Sequence, residues 1–180
     1  LAEKGVGLDI LGPRQDDLLV CAERIYSTLD ALLGELDAAL RTDAVTDIVD
    51  LYRRALGRGQ DAADASRIGN YVNLQSLVTA FSYRGKKLLF TGDMQLADPQ
   101  TGDPDLRHGM ELLLDKIRAA GPFDFVKLAH HGSNNGLSED VLAAFATPVV
   151  GICAGEGSKS HPARQTLELL KRHREELSWA

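Results

Sequence analysis

The stretch Phe125-Val126-Lys127-Leu128-Ala129-His130-His131-Gly132-Ser133 constrains this chain more than any other. An apolar run of strand length delivers two adjacent imidazoles onto a glycine-containing turn. Upstream, Lys87-Leu88-Leu89-Phe90-Thr91-Gly92-Asp93 repeats the design, an apolar strand whose exit turn presents a carboxylate. Downstream, Pro148-Val149-Val150-Gly151-Ile152-Cys153 runs into a small-residue loop that ends at His161-Pro162. Three strands thus each end in a candidate metal ligand. Neutral imidazole and carboxylate are the donors zinc takes outside thiolate sites.

The remaining pattern supplies helices around those strands. Val6, Leu8 and Ile10 alternate with Gly7 and Asp9 until Leu11-Gly12-Pro13 stops the run, which predicts a short strand. Asp16 or Asp17 can cap a helix whose apolar positions recur at three and four from Leu18 to Leu40. Val45, Ile48, Val49, Leu51, Tyr52 and Leu56 predict a second helix, so residues 14–70 read as a helical hairpin followed by a small, polar loop at Gln60–Gly69. From Ser76 to Thr91, two β-rich runs flank Arg84-Gly85-Lys86 and predict a hairpin. A helix carrying Met110, Leu112, Leu113, Leu114 and Ile117 ends at Gly121-Pro122, and Ser138 caps a shorter one. Pro162 suits the first position of the last helix. Strands alternating with helices give an α/β layered class.

Composition narrows the partners. With 180 residues and 44% apolar content the chain can build one core as a single domain, 1–180. No apolar run approaches the roughly 20 residues of a membrane span. Residues 1–70 hold 13 acidic and 8 basic side chains and residues 71–180 hold 13 and 12, so no basic footprint for an extended nucleic-acid track exists. A small phosphorylated substrate stays open, because a bound metal would supply the positive charge. Cys21 and Cys153 form no CxxC, and both read as reduced core residues of a cytoplasmic protein.

The ordered set of Asn73-Leu74-Gln75-Ser76-Leu77-Val78, Leu88 to Asp93, Lys127 to Ser133, and Gly155 to His161-Pro162 resembles the metallo-β-lactamase superfamily. The likeness is greatest to the branch containing the hydrolase domain of the ComEC competence proteins and phosphorylcholine-esterase-like enzymes. It spans Gly5–Pro13 and roughly Tyr71–Arg174, with the acidic helical hairpin as an insertion. The resemblance implies an αββα sandwich, of which this chain would be the C-terminal half, with one or two zinc ions at one edge of the sheets. Asp93, His131 and His161 would be metal ligands, and Asp93 the bridging carboxylate. His130 would be an alternative ligand or a proton donor, which with Asp93 makes the catalytic pair. Ser133, Ser158 and Lys159 would line the substrate pocket. The implied reaction is zinc-assisted hydrolysis of an ester or phosphodiester. The chain departs from the family in one respect: its histidines are His108, His130, His131, His161 and His173, so an upstream His-x-His-x-Asp-His motif is absent.

Two other classes compete. Gly155-Glu156-Gly157-Ser158-Lys159-Ser160 lies between a strand and a helix, where a phosphate loop belongs, but Ser158 and Cys153 stand where the Walker pattern needs glycine. The other class is a non-catalytic binding module, in which an exposed half-sandwich face is covered by a second copy as a homodimer. His108 and His173, on predicted helices, read as ordinary hydrogen-bonded residues.

Overall fold

Period-two alternation in the β-rich runs and period-3.6 stripes between them sort into one sheet with helices packed on it. The computed structural model describes residues 5–41, 60–158, 160–173, 175 and 178–179. Six strands, β1 (Val6–Gly12), β2 (Val78–Tyr83), β3 (Lys86–Phe90), β4 (Phe125–Lys127), β5 (Val149–Gly151) and β6 (Ser178–Trp179), lie side by side in chain order. The first three pair antiparallel and β3 through β6 run parallel. Among the described residues five α-helices accompany them: α1 (Gln15–Arg41), α2 (Gln60–Asn73), α3 (Pro104–Ala120), α4 (Glu139–Phe145) and α5 (Arg164–Arg172).

Register explains the layering. Ala80, Leu89, Val126 and Val150 stand in one row across β2 to β5 and are buried. Leu106, Met110, Leu113 and Ile117 of α3 belong to the same core cluster, at the helical spacing the sequence shows. The opposite row, Ile10, Thr79, Phe90 and Lys127, and its neighbour Leu8, Phe81, Leu88 and Phe125, occupy the other face. Leu8 is 54% exposed, Ile10 65% and Phe90 41%. Among the described residues this second face is mostly apolar, exposed at Leu8, Ile10 and Phe90 and half-buried at Phe81, Leu88 and Phe125.

Local chemistry sets the element ends. Arg84 and Gly85, both at positive φ (49° and 76°), form the two-residue turn joining β2 to β3, the type whose twist suits a hairpin. The Asp103 carboxylate caps α3 by accepting from the Asp105 N–H at 3.0 Å, and Pro104 follows at the first helical position. Ser138 caps α4 through Val141 N–H, as its sequence context predicts. Asp17, buried in the first turn of α1, takes three hydrogen bonds from Arg14 and sits against Gly109 of α3. A side chain at position 109 would displace that carboxylate, so Gly109 is where α1 docks.

Three expectations need correction. Gln60–Gly69 is helical, not a loop: Ala62, Ala63 and Ala65 favour helix, and α2 is anchored at its end by buried Tyr71 and Leu74. The last helix begins at Arg164, with Ala163 as its cap, so Pro162 lies outside it. Cys21 is buried but Cys153 is exposed, because it lies beyond the end of β5 in the loop. The predicted helix at Val45–Leu56 falls outside the described residues. In sequence, α1 and α2 intervene between the paired strands β1 and β2. No described helix is long and apolar enough to cross a membrane.

Candidate metal and catalytic site

The carboxyl ends of adjacent parallel strands are where open α/β sheets gather reactive side chains. Here β3 exits into Thr91-Gly92-Asp93, β4 into Leu128 to Ser133, and β5 into Ile152-Cys153. The backbone locks the first two exits together. Gly92 C=O accepts from His130 N–H at 3.1 Å and from Lys127 Nζ at 2.8 Å, and Thr91 Oγ1 donates to Lys127 C=O at 2.7 Å. Both carbonyl lone pairs of Gly92 are therefore used. Gly92 has φ of 55°, and its Cα faces Ser76, whose Oγ accepts from Asp93 N–H at 3.0 Å.

The double histidine sits in strained backbone. His130, His131 and Gly132 have φ of 46°, 56° and 75°, three consecutive left-handed residues. For two non-glycine residues this costs on the order of 1–3 kcal/mol each. It is offset by His130 N–H to Gly92 C=O, Ser133 N–H to His130 C=O at 2.9 Å and Ala163 N–H to Gly132 C=O at 2.9 Å. The conformation turns consecutive imidazoles toward one cluster. The ring centroids of His130 and His161 are 5.4 Å apart, His131 and His161 6.1 Å, and His130 and His131 6.3 Å.

Each ring has a distinct situation. His131 Nδ1 donates to Cys153 C=O at 2.6 Å, which sets the Nδ1–H tautomer of the neutral ring and leaves Nε2 3.6 Å from Asp93 Oδ1. Lys127 Nζ, on a side chain only 16% exposed, stands 3.8 Å from the same oxygen. His161 has a buried Nδ1 without a hydrogen-bond partner among the described residues, while its backbone N–H donates to Ser158 Oγ at 3.1 Å. Burial, and then the neighbouring His130 and His131, hold the His161 imidazole below its ordinary pKa, with Asp93 opposing them. His130 has both nitrogens engaged, Nδ1 with Asn135 Oδ1 at 3.0 Å and Nε2 with Asn73 Nδ2 at 3.3 Å.

The structure thus brings Asp93, His130, His131 and His161 together. Ser133 is buried and its hydroxyl bonds Asn135, so it braces the turn and does not face an open pocket. Ser158 holds the backbone of His161, and Lys159 lies outside the described residues. His108 is exposed on α3 beside Glu111, and His173 bonds Glu139 at 2.7 Å, both remote in role from the cluster. Sequence reading missed Lys127, Asn135 and the amide of Asn73 as site neighbours, since a lysine in a strand and two asparagines carry no chemical signature by themselves. A cavity of about 430 Å³ lined by residues including Glu139, Leu142, Thr147 and His173 contains none of the candidate ligands.

Does this set fit zinc? Two ligands of a tetrahedral zinc at ~2.0–2.1 Å stand about 3.3 Å apart, and Asp93 Oδ1 and His131 Nε2 at 3.6 Å are close to that edge. The unpartnered buried nitrogen of His161 is a third donor of the right kind. The donor chemistry fits. As placed, however, no group of three or more His, Cys, Asp or Glu among the described residues converges tightly enough to hold an ion. No family model matches the chain, and no curated protein matches it, so what can be said of the site comes from its own geometry.

Proposed function

We propose that the chain is the site-bearing part of a metal-dependent hydrolase, built as the C-terminal half of a metallo-β-lactamase-type sandwich and acting on an ester or phosphodiester. The observation that carries this is the gathering of Asp93, His131 and His161 from the segments that follow three neighbouring strands, with a carboxylate oxygen 3.6 Å from an imidazole nitrogen. The bare apolar face of Leu8, Ile10 and Phe90 supports the sandwich, because a second sheet packs on such a face.

Asp93, His131 and His161 would hold the ion. A bound zinc supplies Lewis acidity and a water acidified toward neutrality. The chain's own groups do the positioning. Cys153 C=O holds His131 with Nε2 outward. Lys127, held at Gly92 C=O, sets positive charge beside Asp93 and offers an attraction for an anionic substrate oxygen. Ser158 fixes the His161 backbone. The test is hydrolysis of bis(p-nitrophenyl) phosphate and p-nitrophenyl acetate with zinc added. Turnover lost in Asp93→Asn and His161→Ala supports the reading, and zinc-independent or absent turnover with both probes opposes it.

A second reading is a non-catalytic assembly module derived from the same fold, favoured by the exposed Leu8 and Ile10 and by donors that do not converge. In it a second copy covers the sheet face. Light scattering decides: a dimer that Ile10→Lys converts to monomer supports it, and a monomer at high concentration opposes it.

A further inference from the structure

The end of α2 and the turn that follows it reach the site through three side chains spaced three residues apart. Asn70 accepts from Gln95 Nε2 at 2.8 Å and donates to Gln100 C=O at 3.0 Å, bracing the loop that follows Asp93. Ser76 takes the Asp93 N–H. Between them, Asn73 places its amide 3.3 Å from His130 Nε2.

The protonation pattern of His130 follows from its partners. An amide oxygen only accepts, so the contact with Asn135 Oδ1 requires a hydrogen on Nδ1. Neutral imidazole then has an acceptor at Nε2, which the Asn73 amide N–H meets. One tautomer satisfies both contacts.

We propose that Asn73 is a positioning residue of this site: it engages the Nε2 lone pair of His130 and holds the ring as the Nδ1–H tautomer, so that His130 forms a wall of the metal site and is kept out of the ligand set. The tautomer stands on the hydrogen bonds alone; only its consequence for ligand choice rests on the hydrolase reading above. The same residue makes the position of α2 part of the site, because withdrawing Asn73 would free a third imidazole lone pair within 5.4 Å, centroid to centroid, of His161.

The experiment is long-range ¹H–¹⁵N correlation on ¹⁵N-histidine-labelled, chelator-treated protein at about pH 8, above the ordinary imidazole range. In the unmutated chain His130 is expected with a pyrrole-type Nδ1 and a pyridine-type Nε2. In Asn73→Leu, both His130 nitrogens are expected to move toward the averaged shifts of mixed tautomers while His108 and His173 stay in place. Asn73→Ser, too short to reach, should do the same should the leucine variant fail to fold. Added zinc should then shift His131 and His161 alone in the unmutated chain, and His130 as well in the variants. A His130 found as Nε2–H in the unmutated chain, or unchanged in both variants, overturns the proposal. Correct tautomers with no response to zinc would leave Asn73's hold on the ring standing and remove the metal reading.

Discussion

Substituting Gly92 with alanine tests whether Asp93 is delivered by a turn packed against the end of α2. The residue has φ of 55°, so a Cβ there introduces left-handed strain of roughly 1–2 kcal/mol. That Cβ would also lie 2.7 Å from Ser76 Cβ and 3.3 Å from Leu77 C=O, closer than either can tolerate without moving. Relieving the overlap displaces Ser76, whose Oγ holds Asp93 N–H at 3.0 Å, and overpacking of this kind costs about 1–3 kcal/mol. A total near 3 kcal/mol is expected, read as a lower urea midpoint at unchanged m-value. The partition is testable by repeating the substitution in a Ser76→Gly background, where the nearest clash is absent. The cost of Gly92→Ala should then fall by at least about 1 kcal/mol, the coupling expected of residues in contact. Equal costs in both backgrounds would refute the packing argument and leave only backbone strain.

The other expectations are simpler. Gly132→Ala places a Cβ at φ of 75° and 3.0 Å from Pro162 Cβ, so it should destabilise by about 1–3 kcal/mol in the same assay; a neutral effect would mean the left-handed turn is not held as described. Burial, with Asp17 and Asp103 adding to it, raises the Cys21 thiol to about 11, whereas Cys153 is exposed. Near neutral pH one thiol, Cys153, should react fast with a disulfide reagent and Cys21 only on unfolding; Cys153→Ser abolishing the fast phase checks the assignment. For His161 the folded pKa lies below the unfolded value of about 6.5, so between the two the unfolded chain binds more protons. Stability should therefore decline as pH drops below about 6.5 and flatten once the folded imidazole also protonates. His161→Asn should remove that part of the slope, and an unchanged slope would contradict the burial argument.

The strands and the turns that carry Asp93 and the double histidine were legible because strong signals agreed. The β-rich runs of Ser76–Thr91, the apolar run at Phe125–Leu128 and the cap at Ser138 all pointed to what the structure contains, whereas the Asp103 cap of α3 came only from the structure. Gln60–Gly69 failed because small, polar residues suit both loop and helix, and only packing, through Tyr71 and Leu74, decides. Cys153 looked apolar by its neighbours Val149, Val150 and Ile152, yet the strand ends at Gly151 and the thiol lies in the loop. Within the site, the residue types Asp93, His131 and His161 could be named from sequence. The engagement of both His130 nitrogens could not, since it depends on Asn73 and Asn135 meeting from opposite sides. Nor could burial of Ser133, whose hydroxyl turns inward because Gly132 reverses the chain just before it.

Zinc stoichiometry tests the central claim most directly. Metal-depleted chain, titrated with zinc in a calorimeter and then dialysed for elemental analysis, should retain about one ion through its Asp–His–His donor set. Asp93→Ala and His131→Ala should each abolish retention while Asn73→Leu keeps it. A chain that retains no zinc, or retains it equally after loss of Asp93 and His131, would contradict the assignment of this strand-end cluster as a metal site.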